Sequence, residues 1–331
     1  MSLTLIAALA LQSAAAPAQE AVTLHRVLKK GDSLSYRVNG WLFSEQREQN
    51  LVTFLPSEEG VDYDFTLNIV EEKADGIARA IYRRPYMTII TGESSNSPEI
   101  RKKEKSDWNL ELLLSPTNEV LDVKDITPKP TTKPPKKPAK PIFALTPSGK
   151  LNSAGQDIVG KYIGDIARLA MFVGDLDSGM DFNPKLPFSP IKPGKTWKKT
   201  VGYSPQRLKG SKNSAVQRLD YTFTYVGLAS FNGVKVHRIT ATLDLNTDAG
   251  EFINQSLGMK PSESGLKKFQ LALKANIEYD LDLKTCHTMA ARATSEAGAK
   301  LEVTTSNDAV LELNMKGKTD LKLMSAKNGK A

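Results

Sequence analysis

The chain has 331 residues, of which 40% are hydrophobic and 25% charged, with a formal net charge of +8. Its length exceeds a usual domain of roughly 100–200 residues, so one large or two small units with a sizeable core are expected. Cys286 is the single cysteine, which excludes an internal disulfide and a paired-cysteine zinc or iron–sulfur centre.

The first stretch, MSLTLIAALALQSAAAPAQEA, has an apolar core from Leu3 to Leu11 and then Ala16-Pro17-Ala18. Small-x-small is the pattern of a signal-peptide cleavage site, because the peptidase pocket admits only small side chains. The core is too short for a membrane span of about 20 apolar residues. Residues 1–18 are therefore expected to be an export signal. No cysteine near the cleavage point could carry a lipid anchor, and no later stretch is long and apolar enough for a spanning helix. The mature chain is expected in the periplasm or outside the cell, with envelope association through other means left open.

Residues 22–125 read as a first β-rich half. LKKGDSLSYRVNG (Leu28–Gly40) has Gly31 as a turn and Ser33 opening a strand with Leu34 inward. Val61, Tyr63, Phe65, Leu67 and Ile69 alternate with polar residues, the period of a strand with one dry face. Ala74-Asp75-Gly76 is a hairpin cue.

Residues 126–141 form a basic, proline-rich linker or loop. Six prolines in Thr127–Pro141 remove backbone donors and favour an extended, solvated spacer of about 3.1 Å per residue. Lys129, Lys133, Lys136, Lys137 and Lys140 lie in it without a neutralising acid. They are the candidate contacts for an anionic partner, such as an envelope polymer, unless they merely keep the loop solvated. Export and the lack of aromatics for stacking argue against nucleic acid.

Residues 142–185 are expected to hold a strand and an amphipathic helix. In SAGQDIVGKYIGDIARLAMFVGDL, Val159, Ile163, Ile166, Ala170 and Val173 share one helical face, and Ser153 with Gln156 forms a capping box. The apolar face of a sheet is the expected seat.

Residues 186–325 read as a second β-rich half, followed by a tail at 326–331. IKPGKTWKKTVGY (Ile191–Tyr203) repeats the first half's opening, with Gly194, Thr196 and Trp197 in place of Gly31, Ser33 and Leu34. FNGVKVH repeats its hairpin cue. From Phe269 to Leu283 every second residue is apolar, and runs from Met289 and from Leu311 follow, which predicts an antiparallel meander of long strands. Gly298 and Gly317 are candidate bends.

Chemistry is sparse. Asp244, Asn246 and Asp248 have the i, i+2, i+4 spacing of weak calcium ligands, but the following positions depart from a calcium loop. Asp175, Asp177 and Asp181 give a similar partial pattern. Cys286 and His287 are adjacent, and neighbours on a strand point to opposite faces, which argues against a dyad. No G-x-S-x-G elbow or phosphate-cradling glycine loop occurs, so no catalytic residue and no cofactor are assigned. Trp41, Trp108 and Trp197 are expected at the core or rim.

KKGDSLSYRV and LPFSPIKPGKTWKKTV resemble openings found in secreted, uncharacterised bacterial proteins rich in long antiparallel strands. The expected architecture is mainly β: a large curved antiparallel sheet, half-barrel or barrel-like, in two similar halves with a helix on its apolar face. It loosely resembles the half-barrels of periplasmic lipoprotein and lipid carriers. Three readings follow: an exported, non-catalytic protein binding an apolar ligand or envelope component, a surface protein contacting anionic wall polymer, or an unrecognised hydrolase.

Overall fold

The computed structural model describes residues 20–48, 52–92, 100–128, 183–203, 217–257, 266–303 and 309–327, with positions 164, 167, 170 and 171. The export-signal segment, the proline-rich run beyond Pro128 and most of the expected helix lie outside the described residues.

Eleven strands form one antiparallel sheet. They are β1 (Ser33–Glu48), β2 (Leu55–Glu72), β3 (Ala78–Gly92), β4 (Ile100–Leu114), β5 (Val120–Asp125), β6 (Thr196–Tyr203), β7 (Gln217–Phe231), β8 (Val234–Asp248), β9 (Leu266–Asp282), β10 (Thr288–Val303) and β11 (Ala309–Lys327). A short helix, α1 (Gly250–Leu257), follows β8. The spatial order is β5-β4-β3-β2-β1-β11-β10-β9-β8-β7-β6. Two meanders thus run outward from a central pair, β1 and β11, the first and last strands of the chain. The stretches on either side of the proline-rich run are adjacent parts of one sheet.

The long alternation in the sequence becomes long strands. β9 has 17 residues and β11 has 19, so each extends for about 55–65 Å at about 3.3 Å per residue. Strands of this length must twist and coil. Ten inter-strand spacings of about 4.8 Å would hold the edges of a flat sheet roughly 48 Å apart. Yet Glu119, at the foot of β5, makes a 2.6 Å ion pair with Lys199 of β6. The sheet is therefore rolled at that end until its edges meet, although β5 and β6 do not pair as strands.

One face of the roll is mainly apolar, interrupted by buried polar residues such as Ser44, Ser295 and Thr319. Leu34, Tyr36 and Val38 of β1, Leu219 and Phe223 of β7 and Leu271 and Leu273 of β9 belong to a single buried cluster. The repeated openings are structurally equivalent. Gly31 and Gly194 have φ of 92° and 76°, and their amides donate to Ile69 and Tyr225 on the neighbouring strand. A residue with a side chain is strained at such a φ, which explains the shared glycine.

Ala167, Ala170 and Met171 are 3%, 1% and 2% exposed, and Ala170 is helical. The helix end therefore docks on the inner face, as expected. It rests on small residues of the sheet: Ser295 of β10, and Gly317 and Thr319 of β11. A Cβ at Gly317 would lie 2.2 Å from the Ala170 carbonyl oxygen. The role of Gly317 is thus close approach of the helix backbone, rather than the bend expected from sequence.

Candidate functional site

The rolled end is plugged by two segments. In the first, Val22 forms a bridge with Ile191, the Arg26 amide donates to the Pro116 carbonyl and the Val27 amide to that of Thr285. Period-two alternation turns Leu24, Arg26 and Leu28 inward, at 0%, 4% and 2% exposure. In the second, Asn183 through Leu186 straps the two edges together. The Leu186 amide donates to the Thr117 carbonyl, and Trp197 Nε1 on β6 donates to the Lys185 carbonyl at 2.7 Å. Thr288 Oγ1, at the start of β10, donates to Asn183 Oδ1 at 2.9 Å.

Asn118 is the hub of this plug. It sits in the β4–β5 turn with φ of 62°, a conformation Asn tolerates better than most residues. Its Nδ2 donates to the Pro184 carbonyl at 2.9 Å, and its own carbonyl accepts from Lys185 Nζ at 2.6 Å. Its Oδ1 lies 3.4 Å from Arg26 Nη1. Two cations, both buried, therefore converge on one neutral residue. Neither Arg26 nor Lys185 is assigned a role from the sequence. The overlooked signal was an arginine at an inward position of the alternation Val22-Leu24-Arg26-Leu28.

Cys286 and His287 lie in the β9–β10 turn next to the plug. Asp282 Oδ1 accepts the Lys284 and Thr285 amides and the Thr285 hydroxyl, which fixes the turn. Burial opposes ionisation of Asp282, but these donors and His287 together hold its carboxyl below the ordinary range. Burial pushes the Cys286 thiol up to about 11, so it stays protonated at neutral pH and is a poor nucleophile. Burial, followed by the Arg26 charge, lowers His287 to about 4, and its Nε2 contacts the Val27 carbonyl at 2.6 Å. A neutral ring donating from Nε2 fits a positioning contact that locks the plug to the turn.

Above the plug the inner face carries two aromatic groups. Tyr36, Phe65, Tyr82 and Trp108, from β1 to β4, form a chain of rings with centroids 5.0, 5.0 and 5.6 Å apart. The Arg84 guanidinium lies over Tyr63 and Trp108. Burial raises the Tyr63 and Tyr82 hydroxyls, leaving them neutral. On the opposite wing Trp197 stacks on Phe223 at 5.4 Å. Trp108 and Trp197 thus pack against the core, whereas Trp41 is 42% exposed on the outer face, over Gly60.

Asp244, Asn246 and Asp248 lie on the outward side of β8, where an extended backbone spaces alternate residues by about 6.6 Å rather than gathering them. Their side chains have other tasks. Asp244 lies 3.9 Å from Lys274, Asn246 accepts from Gln270, and Asp248 Oδ1 accepts the Gly250 amide at 2.8 Å in opening α1. Among the described residues no three His, Cys, Asp or Glu side chains form a metal-binding group. Lys129, Lys133, Lys136, Lys137 and Lys140, like Asp175, Asp177 and Asp181, lie outside the described residues. Among the lysines at and before edge strand β6, Lys185 is buried, Lys199 is paired with Glu119, and Lys192, Lys195 and Lys198 are exposed. Exposed lysines on an edge discourage pairing with another chain.

No family model matches the chain, and no curated protein matches it. Solved structures do. The chain is similar to lipovitellin, from a study of its lipid–protein interactions, with a TM-score of 0.40 and 9% identity over 92% of this chain. It spans only 26% of that much longer chain. It is similar to a domain described as an outer membrane lipoprotein-sorting protein from Vibrio parahaemolyticus, with a TM-score of 0.16, 11% identity, and 91% and 88% of the two chains covered. It is also similar to a DUF1329 family protein from Desulfovibrio piger, with a TM-score of 0.16, 8% identity, and 89% and 87% covered. What is shared is a strand-rich architecture, and at these scores it assigns no residue a role.

Proposed function

We propose that the chain is an exported, non-catalytic β-protein that holds an apolar ligand, or an apolar part of the cell envelope, against the inner face of its rolled sheet. The observation that carries this reading is a broad, mainly apolar face across the eleven described strands, whose edges, β5 and β6, are strapped at the base but not paired. A closed barrel covers its own lining; a roll with an unzipped seam can admit a long, thin apolar molecule along it. The aromatic rows on both wings offer flat, adaptable contact surface for such a chain. Export rests on the signal-like N-terminus. No helix among the described residues is long and apolar enough to cross a membrane.

The test is to purify the full chain from an exporting host without detergent, extract it with organic solvent and analyse the extract by mass spectrometry. A near-stoichiometric amphiphile, and its uptake again by the stripped protein, is the expected result. An empty extract together with no uptake of long-chain amphiphiles would remove the proposal.

A further inference from the structure

Arg26 is a charged group that the fold buries without satisfying. It is 4% exposed and turned inward between Leu24 and Leu28. Its Nη1 reaches Asn118 Oδ1 at 3.4 Å, a long contact to a neutral acceptor. Its Nε and Nη2 are buried with no hydrogen-bond partner in the protein. These two nitrogens form one edge of the guanidinium, the edge that suits two oxygens of a carboxylate or phosphate. The same fold shows how that edge is used elsewhere. Arg37 holds both oxygens of Asp64 with it, at 2.8 and 3.0 Å, and Arg238 holds both oxygens of Asp280, at 2.7 and 3.1 Å. The corresponding edge of Arg26 meets no acceptor of the chain.

Lys185 adds positive charge to the surroundings, and the two acids that act on the neighbouring His287, Asp32 and Asp282, already accept backbone amides of their own turns. Lys185, 5% exposed, is anchored on the carbonyl of the same Asn118. Glu119, the adjacent acid, is committed to Lys199 at 2.6 Å. An arginine stays protonated in a protein, so a guanidinium buried this way carries a desolvation penalty that an anion against its open edge would offset.

We propose that Arg26, supported by Lys185 and Asn118, binds the anionic headgroup, phosphate or carboxylate, of an amphiphile whose tail lies along the inner face. This rests on the apolar-ligand reading and deepens it: the ligand is acidic at the plugged end of the roll.

The experiment is calorimetric titration of the full, solvent-stripped chain with dodecyl phosphate, dodecanol and inorganic phosphate, for the wild type, R26M and R26K. Dodecyl phosphate is expected to bind the wild type at least ten-fold more tightly than dodecanol. R26M should erase that difference while leaving dodecanol affinity within two-fold, and R26K should keep part of it. Should R26M fail to fold by circular dichroism, R26Q replaces it and gives the same reading. Equal affinity for dodecyl phosphate and dodecanol, or a preference that survives R26M, overturns the headgroup site and leaves the apolar-ligand reading standing. Arg26-dependent binding of inorganic phosphate with no gain from a tail keeps the anion site and removes the apolar ligand. No binding of any probe removes both.

Discussion

Ser295 Oγ, in the middle of β10, donates a 2.6 Å hydrogen bond to the backbone carbonyl of Ala170. Thr319 on β11 does the same for the carbonyl of Met171. The last carbonyls of a helix have no partner within it, and a helix end buried on an apolar sheet needs donors from that sheet. Ser295 and Thr319 are buried polar residues in an otherwise apolar row because they supply them. S295A should therefore destabilise the fold by about 1–3 kcal/mol, the penalty for leaving a buried acceptor unmade. Urea unfolding of the variant measures this directly.

Gly317 sits beneath the same carbonyl. In G317A the new methyl meets backbone at 2.2 Å and the Ser295 hydroxyl at 2.6 Å, and backbone cannot give way as a flexible side chain can. A loss of about 1–3 kcal/mol is expected from overpacking, with looser protection of the Ala167–Met171 amides in hydrogen exchange. Gly298, whose added Cβ would meet only atoms at 3.9 Å, serves as the control and should accept alanine with little change.

Asp280 is an outward-register residue with 0% exposure because two arginines cover it. Arg238 holds it with two bonds and Arg292 with one at 2.8 Å, while Arg292 also lies over the Phe231 ring. D280A leaves both partly exposed arginines with Glu278 as their remaining acid, so a loss of about 1–3 kcal/mol is expected, measured by denaturant unfolding. Breaking the exposed Arg37–Asp64 pair with D64A should cost under about 1 kcal/mol.

His287 predicts a pH dependence whose sign follows from its direction of shift. Burial lowers its folded-state value from 6.5 to about 4, so the unfolded chain binds the proton first as pH falls. Stability is full above about pH 6.5, declines as pH drops towards about 4, and then levels off for this group. The total is about 3 kcal/mol, and H287Q should flatten that part of the pH–stability curve. The measurement is denaturant unfolding of both proteins between pH 4 and 8.

Asn118 combines a left-handed backbone with three plug contacts. N118G loses the side-chain contacts but relaxes the backbone, whereas N118A loses them and keeps the strain. N118A should be the less stable by about 1 kcal/mol in a thermal or urea comparison.

Much of the fold was legible because its signals are local. Period-two alternation marked β2, β9, β10 and β11, and Gly31 and Gly194 announced matching strand openings through a positive φ that only local geometry demands. Ala170 was placed on the sheet-facing side of the helix by its spacing. What stayed hidden depends on contacts remote in sequence. That β1 pairs with β11 across the whole chain, uniting the two halves, is a choice among many antiparallel partners that share the same alternation. Gly317 looked like a bend because its neighbour in space, Ala170, lies 147 residues earlier in the chain. The alternation around Arg26 marks it as inward, but the strap and plug that bury Arg26 and Lys185 are contacts remote in sequence.

The most direct test of the rolled, ligand-holding sheet is photo-crosslinking with a long-chain amphiphile bearing a diazirine in its tail, followed by peptide mapping. Adducts should fall on inward residues such as Tyr36, Phe65, Leu67 and Tyr82, and should be displaced by unlabelled amphiphile. Adducts confined to outward positions such as Trp41 and Phe43, or labelling that excess unlabelled amphiphile leaves unchanged, would contradict it.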